Sequence, residues 1–198
     1  KARDPHKGFP TLKEGKIVSL DALTYAASLE NLDPVKDSRH VFVKGDICDA
    51  ALVESLVREH KIDAILNFAA ESHVDRSISG SMPFVQANVV GTVTLLDIAR
   101  KHKLRYLQVS TDEVYGTLGD TGSFTEESPI QPNSPYSASK AAADGFVRAY
   151  VETHKLDAII TRCSNNYGPY QFPEKFLPVA FTKLMSGAKI PVYGQGLN

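Results

Sequence analysis

Several features that would mark other classes of protein are absent from this sequence or scarce in it. Its 198 residues include only 2 cysteines and carry a formal net charge of −1. Cys48 and Cys163 form no CxxC pair and no metal-ligand spacing with histidine, so we expect each to be a small core residue. No basic cluster suits a nucleic-acid backbone, no apolar run approaches the roughly 20 residues that cross a bilayer, and the polar start is not a signal peptide. These absences favour a cytoplasmic protein with no nucleic-acid partner and no membrane partner.

The usual opening of a dinucleotide-binding sheet is also missing. Such a sheet begins with a strand, a glycine-rich turn and a helix whose N-terminus holds the pyrophosphate. Here polar residues lead directly to an apolar run at 16–20. A GxxGxxG pattern does occur at Gly116, Gly119 and Gly122, but no helical pattern follows it and Asp120 would face a phosphate. We therefore expect these glycines to lie in a flexible loop, and the phosphate-binding turn to lie outside this chain.

A regular alternation of strand-like and helical patterns is what the sequence does contain. Strands are predicted at 16–20, 40–43, 63–69, 104–110, 157–163 and 190–193, and helices at about 50–60, 83–101, 136–153 and 175–186. Parallel strands need crossover helices, so the alternation predicts an α/β fold with a Rossmann-like, doubly wound parallel sheet covered on both faces. The irregular segment at about 116–134 is long enough to favour a functional loop.

Acidic residues follow two of the predicted strands, where parallel sheets bind their ligands. Asp21 could accept hydrogen bonds from an adenosine ribose and would repel a 2′-phosphate, which favours NAD over NADP. A turn aspartate is an equally good interpretation of Asp21. Asp46 and Ile47 could cover an adenine, although Asp46 or Asp49 could instead cap the next helix. For Asp49 the capping interpretation is favoured.

Tyr136 and Lys140 form a YxxxK pattern just inside a helix that Pro135 opens. Residues four apart share a helix face. A lysine ammonium beside a phenol favours the phenolate, so Lys140 is predicted to lower the pKa of Tyr136 from about 10 towards the working range. Such a phenolate could remove a hydroxyl proton while hydride leaves the carbon. The pattern is weak by itself, because chance matches to it are common.

The tetrad Ser110-Thr111-Asp112-Glu113 ends the predicted strand at 104–110 and points to the same sheet edge as Asp21. S-x-x-E is also the pattern of a helix capping box. However, the residues that follow, VYGTLGDTG, sustain no more than one helical turn. Paired acids at a strand end suit general acid–base catalysis, with one acid protonated and the other ionised. The catalytic interpretation is therefore favoured.

Charged residues also cluster in AAESHVDRS, at 69–77. His73 has no serine or cysteine nucleophile at a telling spacing, so it is predicted to be structural. Asp75 and Arg76 are predicted to form an internal ion pair.

Four longer motifs together resemble the extended short-chain dehydrogenase/reductases, and among them the nucleotide-sugar 4,6-dehydratases. They are NFAAESHVDRS at 67–77, STDEVYG at 110–116, PYSASK at 135–140 and SNNYGPYQFPEK at 164–175. The resemblance runs from about residue 16 to the end of the chain. It implies NAD as cofactor and a nucleotide sugar as substrate, dTDP-glucose first and UDP-glucose as the alternative. It also implies a homodimer through the helices at 83–101 and 136–153, with an apolar surface from Val85, Val89, Leu95, Leu96, Phe146, Val147 and Tyr150.

Roles for individual residues follow from the same resemblance. Tyr136 would be the redox base, Lys140 would hold the nicotinamide ribose, and Thr111 would bond the hexose C4 oxygen. Asp112 would be the acid and Glu113 the base of an elimination. Adenosine would be held by Asp21, Ala22, Leu23, Thr24, Asp46 and Ile47. The cofactor would further be lined by Phe68, Ala69, Ala70, Glu71, Ser72, Asn166 and the backbone or methyl group of Ala87. The sugar nucleotide would contact Ser72, Asn165, Lys175, Phe176, Pro191, Val192 and Tyr193.

Two elements of the resembled family are not found in the chain: the glycine-rich unit before residue 16, and most of the substrate lobe, expected after Asn198. We therefore expect residues 1–198 to be a truncated NAD-binding domain, with the substrate-binding part beginning at about residue 165. A sheet without its first strand is expected to leave unpaired ladder groups on the neighbouring strands. Activity is expected of a protein that carries both elements.

The implied function is that of an NAD-dependent lyase. It would oxidise the sugar transiently at C4, eliminate water and return hydride to C6, which gives a 4-keto-6-deoxy sugar nucleotide. A UDP-sugar 4-epimerase or decarboxylase of the same fold is the first alternative, although an epimerase would typically lack the adjacent Asp–Glu pair. The alternative from another class is a non-catalytic NAD-binding regulator, which would need the cofactor residues but not Thr111, Asp112 and Glu113.

Overall fold

The computed structural model describes residues 15–192, in which five strands form two parallel sheets. β1 (Ile17–Asp21) pairs with β2 (His40–Lys44). In the other sheet β4 (Arg105–Thr111) lies between β3 (Ala64–Asn67) and β5 (Ala158–Cys163). Each of these strands lies within two residues of its predicted bounds, so the predicted α/β class with parallel pairing is confirmed.

β1 and β3 are the neighbouring edges of these two sheets in a doubly wound order, and they do not pair with each other. Within the described residues each has a partner strand on one side only. This is the arrangement expected of a doubly wound sheet whose first strand, normally between them, is not in the described chain. Leu20 of β1 and Ile65 of β3 nevertheless pack against one common core, so the two sheets belong to a single folded unit.

The helices agree with the prediction at four positions and add one short helix. α1 starts after Asp49, whose carboxylate accepts a hydrogen bond from the Leu52 amide at 3.0 Å, so the predicted cap is confirmed. α3 is continuous but changes to π-type hydrogen bonding in its first half, over Val85–Val90. The helices are α1 (Ala50–His60), α2 (Val74–Ser79), α3 (Met82–His102), α4 (Pro135–His154) and α5 (Phe176–Met185). Two 3₁₀ helices are also present, at Leu29–Val35 and Asp112–Tyr115.

The core lies between α3, α4 and one face of the three-stranded sheet. Leu95 and Leu96 of α3 and Val147 of α4 are almost fully buried there. The prediction that these three residues contribute to a dimer surface is therefore wrong, because they face the sheet. Val85 and Phe146 of the same predicted set remain exposed.

The opposite face of the three-stranded sheet is not covered by a described helix at its centre. Leu66, Leu107 and Ile159 are in register on β3, β4 and β5, and Leu66 and Ile159 are 59% and 57% exposed. The predicted cover on both faces is thus wrong for the described residues. The reason is that α3 and α4 pack on the same face, and α1 packs beside α3.

Two other sequence expectations also need correction. Ile190, Pro191 and Val192 are in no strand, since no described strand pairs with them, and Tyr193 lies outside the described residues. The second is the expectation that no apolar run approaches the length that crosses a bilayer. By length and composition α3 does so, with a mean hydropathy of 1.3 over its best window. It is the one such helix among the described residues, and 44% of that window is buried inside the protein, as in a core helix.

The long segment at 116–134 contains no helix and no strand, as predicted, and its base is closed. The Gln131 amide donates to the Val114 carbonyl at 2.9 Å. Gly116 has a φ of +89°, and a Cβ there would lie 2.3 Å from the Gln131 carbonyl oxygen, so only glycine fits. Around Gly119 and Gly122 a Cβ would meet nothing within 4 Å. The GxxGxxG pattern therefore belongs to a loop with an open tip, as predicted.

Candidate active site

The carboxyl ends of β1, β3 and β4 bring the predicted site residues to one region of the molecule. Asp21 ends β1, the loop at 68–72 follows β3, and Thr111 ends β4. The loop after β1 and the loop after β3 meet in a cleft that is closed on its third side by residues from 171 to 175. Residues predicted for cofactor and for substrate thus line the same cleft: Thr24, Ala70, Glu71, Ser72 and Lys175.

Tyr136 and Lys140 lie in the first two turns of α4, which begins with a well-formed cap. Pro135 is the first helical residue, and Ser134 and Ser137 exchange side-chain to backbone hydrogen bonds at 3.0 Å each. Lys140 is 3% exposed, and its Nζ donates to the Val109 carbonyl of β4 at 2.7 Å. This bond fixes the face of α4 that carries the Tyr–Lys pair against the strand that carries the acids.

The acidic pair lies beside the tyrosine although it is more than 20 residues away in sequence. The turn that carries Asp112 and Glu113 packs against α4, which carries Tyr136. Both carboxylates raise the pKa of Tyr136, in agreement with this packing. The three-dimensional structure therefore brings together the redox pair and the acid pair that the sequence suggested separately.

The pKa of Tyr136 is opposite in direction to the prediction. Burial raises the pKa of Tyr136 to about 12, with Glu113 adding to the rise and a hydrogen bond with Thr111 opposing it. The main cause is the burial of the phenol, which outweighs the effect that the sequence spacing assigned to Lys140. Burial also lowers the pKa of Lys140, an effect that nearby Asp144 opposes.

The acids lie on a single 3₁₀ turn, Asp112–Tyr115, that starts where β4 ends. The cap of this turn is Thr111, whose hydroxyl accepts from the Glu113 amide at 3.3 Å. A capping box from Ser110 is therefore not formed, and the Ser110 hydroxyl is buried without a hydrogen-bond partner among the described residues. Glu113 is exposed, and partial desolvation followed by repulsion from Asp112 raises its pKa, while Lys175 lowers it. A raised pKa makes Glu113 a stronger base once it is ionised.

The residues predicted to hold adenosine lie in two exposed turns. The Asp21 carboxylate accepts a hydrogen bond from the Leu23 amide at 2.7 Å, and Leu23 has a left-handed φ of 52°. The turn interpretation and the ribose interpretation of Asp21 are compatible, because a carboxylate accepts several hydrogen bonds. Asp46 bonds the Cys48 amide at 2.8 Å. The side chain of Ile47 is buried in the core against the position of Gly91, so its contact with an adenine stays a prediction.

Asn88 is a residue whose importance the sequence reasoning missed. Its buried amide accepts from the Glu71 amide at 2.9 Å and donates to the Glu71 carbonyl at 3.0 Å. It also donates to Ser139 Oγ at 2.8 Å, next to the Tyr–Lys pair. Asn88 and Ala87 lie in the π-type segment of α3, a feature that often marks functional sites. The apolar run FVQANVVGTV contains two side-chain amides, Gln86 and Asn88, and these amides were the available signal.

The substrate residues predicted in the last third of the chain are only partly brought together. Lys175 Nζ lies 3.5 Å from the Ser72 carbonyl, so these two predicted residues are neighbours. Asn166 donates to Ser164 and Cys163 within its own loop, and Asn165 is exposed. Phe176 opens α5 and is exposed, while Pro191 and Val192 lie after the end of α5 in irregular chain.

The charged residues at 73–76 have structural contacts, but the ion pair differs from the predicted one. His73 caps α2 by accepting from the Arg76 amide at 3.5 Å, in agreement with a structural role. The predicted pair of Asp75 with Arg76 is wrong. Adjacent helical residues do not face each other, and Arg76 lies 3.7 Å from Glu174 instead.

Known proteins with a similar sequence or structure show which family the chain resembles. The chain is 56% identical to a dTDP-glucose 4,6-dehydratase of Xanthomonas campestris, over 91% of this chain and 55% of that protein. A crystal structure of dTDP-glucose 4,6-dehydratase from Bacillus anthracis in complex with NAD matches with a TM-score of 0.86 and 51% identity, over 92% of this chain and 57% of the other. The same enzyme from Streptomyces venezuelae, also with NAD bound, matches with a TM-score of 0.88 and 54% identity, over 92% and 56%.

These relatives are longer proteins, and the chain spans about 55% of the length of the first of them. The family model for GDP-mannose 4,6 dehydratase matches residues 12–198, which is nearly the whole chain. With that match, and with an acid pair and a Tyr–Lys pair at one sheet edge, this chain belongs to the GDP-mannose 4,6 dehydratase family.

Proposed function

We propose that the full-length protein is an NAD-dependent dTDP-glucose 4,6-dehydratase, a lyase that forms a 4-keto-6-deoxy sugar nucleotide. The observation that carries the proposal is that the turn with Asp112 and Glu113 packs against α4, the helix with Tyr136 and Lys140. A reaction that combines transient oxidation with elimination needs an acid and a base besides the redox tyrosine. Relatives with 51–56% identity that bear this enzyme's name support the choice of reaction.

The described residues suit the two ends of NAD⁺. An exposed carboxylate, Asp21, lies at the end of β1, where it could accept hydrogen bonds from the adenosine ribose. At the other end, Lys140 presents a buried ammonium group beside Tyr136, suited to the nicotinamide ribose. Bound NAD⁺ would supply a hydride acceptor for the oxidation and a donor for the final reduction. The described residues contain no glycine-rich strand–turn–helix unit, and none of them is assigned to binding the pyrophosphate.

The proton steps are assigned to four side chains. Tyr136 takes the proton of the C4 hydroxyl, and Thr111, at the end of β4, binds that oxygen. Oxidation at C4 acidifies the hydrogen on C5, which Glu113 removes as a base. Asp112 gives its proton to the C6 hydroxyl, which leaves as water. The raised pKa of Glu113 suits a base, because its conjugate acid then holds the proton more firmly.

The cofactor preference gives one test of this assignment. Asp21 would repel the 2′-phosphate of NADP⁺, so we expect the full-length protein to bind NAD⁺ more tightly. Asp21→Ala should narrow that preference. Asp63→Ala, an exposed acid that precedes β3 at the opposite edge of the sheet, is the matched control. Equal binding of both cofactors by the unchanged protein, measured by fluorescence titration, would show that the assignment of Asp21 is wrong.

Exposed apolar residues and free thiols bear on the partners and the location of the protein. We place the protein in the cytoplasm as a homodimer, with neither nucleic acid nor a membrane as partner. The exposed apolar residues Val85 and Val90 of α3 and Phe146 of α4 support an interface on these helices, since uncovered apolar patches often mark interfaces. The free thiols Cys48 and Cys163 suit a reducing compartment.

Product analysis tests the proposed reaction directly. The full-length protein is incubated with NAD⁺ and either dTDP-glucose or UDP-glucose, and the products are examined by mass spectrometry. Loss of one water from dTDP-glucose is expected. Conversion without a change of mass would instead support a 4-epimerase, and preferential loss of water from UDP-glucose would change the base but not the reaction.

A further inference from the structure

Tyr25, Arg76 and Glu174 meet on the wall of the cleft, and each contacts the other two. The Tyr25 hydroxyl donates to Glu174 Oε1 at 2.8 Å. The Arg76 guanidinium lies over the Tyr25 ring, 3.6 Å from its centroid, and a guanidinium nitrogen is 3.7 Å from Glu174 Oε2. The three residues form a closed triangle of a hydrogen bond, an ion pair and a cation–π contact.

This cluster joins three segments that lie far apart in the sequence. Tyr25 follows the turn at 21–24, Arg76 lies in α2 just after the loop at 68–72, and Glu174 precedes Lys175. The first two segments carry residues proposed for the cofactor, and the third carries residues proposed for the sugar nucleotide. Tyr25 and Glu174 themselves line the cleft. The cluster is therefore a direct side-chain link between the two halves of the proposed site.

The surroundings make this link firmer than an ordinary surface pair. The Glu174 side chain is 15% exposed. His73 Nε2 lies 3.9 Å from Glu174 Oε2, the oxygen that also faces Arg76. Phe172 packs edge-on against Tyr25, with 5.6 Å between ring centroids. Burial and the Glu174 carboxylate raise the pKa of Tyr25 to about 12, so the phenol remains a hydrogen-bond donor at neutral pH.

We propose that the Tyr25–Arg76–Glu174 cluster is a latch through which the dinucleotide cofactor and the nucleoside diphosphate tighten each other's binding. A ligand that orders one of the joined segments also orders the other, so the second ligand finds its loop already in place. The three residues are positioning residues. The identity of the two ligands rests on the proposed function.

Calorimetric titration of the full-length protein tests the latch. NAD⁺ is titrated alone and in the presence of saturating dTDP, and dTDP is titrated alone and with saturating NAD⁺; UDP is used in parallel. In the unchanged protein each ligand should tighten the other by the same factor, at least about fivefold. Tyr25→Phe keeps the ring for Arg76 but loses the bond to Glu174, and it should bring that factor close to one. Glu174→Gln should do the same, and the double variant should lose no more than either single variant.

Tyr150→Phe is the matched control, because Tyr150 also donates to a carboxylate, Asp97, at 2.8 Å, but between α3 and α4. It should leave the factor unchanged. The latch is wrong if the unchanged protein shows no reciprocal tightening with either nucleotide. It is also wrong if Tyr25→Phe keeps the full factor, or weakens both ligands equally whether or not the other is present. Failure of the proposed function looks different: the unchanged protein would bind both ligands with coupling but would not convert dTDP-glucose.

Discussion

At the scale of single residues, the protein holds the phenol of Tyr136 in its protonated form. The pKa of Tyr136 is raised to about 12, mainly by burial, so the phenol is protonated at neutral pH. Lys140 contributes by position, since its ammonium group is bound to the Val109 carbonyl. We infer that Tyr136 becomes an effective base only when further positive charge enters the site with the ligands.

Glu113→Gln separates the oxidation step from the elimination step in the full-length protein. Glutamine keeps the shape of the side chain but cannot take a proton. Oxidation at C4, with Tyr136 as the base and NAD⁺ as the hydride acceptor, should therefore survive while removal of the C5 hydrogen fails. Loss of a positioned general base usually lowers the rate by roughly 10²–10⁴-fold. Mixing with dTDP-glucose should therefore build up NADH absorbance with little product, and exchange of the C5 hydrogen with deuterated solvent should slow by a similar factor.

Two variants serve as controls for this experiment. Tyr136→Phe should suppress the NADH signal itself, because the step before elimination is lost. Glu127→Gln changes an exposed glutamate in the long loop and should behave as the unchanged protein. Normal turnover by Glu113→Gln would mean that the acids only shape the turn after β4, and an epimerase-like reaction would then be the better proposal.

The ionisation of Glu113 should follow the charges of its two neighbours. Its pKa is raised by desolvation and by Asp112 and lowered by Lys175, so the carboxylate should form above the ordinary pH range of a glutamate. Activity that needs the carboxylate is then lost as the pH falls through this raised pKa. Carbon NMR titration of the Glu113 carboxyl should show the midpoint moving down in Asp112→Asn and up in Lys175→Met. Equal midpoints in all three proteins would remove the electrostatic account.

At the scale of elements, the π-type segment of α3 holds the loop after β3. Asn88→Ala would leave the backbone amide and carbonyl of Glu71 without their partner, and a buried group left unsatisfied usually costs about 1–3 kcal/mol. Urea unfolding should show a loss of that order, together with weaker NAD⁺ binding. Asn133→Ala removes an exposed amide bonded to Thr117 at 2.8 Å, and it should change neither quantity appreciably. A variant at Asn88 that unfolds and binds NAD⁺ like the parent would contradict the assigned role.

The strands and long helices could be predicted from sequence because their signals are local. Apolar runs, the Asp49 cap and Pro135 at the start of α4 are all readable within a few neighbouring residues. The face that each helix buries could not be predicted, since Leu96 and Phe146 are equally apolar and only the packing of α3 against α4 distinguishes them. The partner of Arg76 is almost 100 residues away, and no local pattern could identify it.

The same distinction applies to the site. Both candidate pairs were predicted from local signals, the acids from a strand end and the Tyr–Lys pair from helical spacing, and the structure packs the two elements against each other. Their catalytic roles stay a prediction. The direction of the Tyr136 pKa was predicted wrongly, because spacing along a helix does not reveal that packing buries the phenol or that Glu113 lies near it, and both raise its pKa. The bonds of Asn88 depend on contacts between α3, the loop after β3 and α4, which the sequence does not display.

At the scale of the whole molecule, the exposed apolar residues of α3 and α4 should decide the oligomeric state. Val85 and Phe146 are 38% and 41% exposed, and burying them between two copies would remove apolar surface from water. Light scattering of the full-length protein should show a dimer at micromolar concentration. Phe146→Glu should shift it towards the monomer, while Leu118→Glu, on an exposed loop residue, should not. A protein that is monomeric without any substitution would rule out this interface.

The closed base of the segment at 116–134 should allow the loop tip to tolerate insertions. Val114 and Gln131 are joined across the base, and Gly116 lies against the Gln131 carbonyl, so the turn that carries Asp112 and Glu113 is anchored independently of the loop tip. Doubling the length of a flexible loop adds only about 0.6 kcal/mol of closure entropy. Insertions between Gly119 and Gly122, where the surroundings are open, can therefore accumulate without moving the acids. Natural variation or a designed library at this tip can therefore change the loop while the turn at the end of β4 keeps its position.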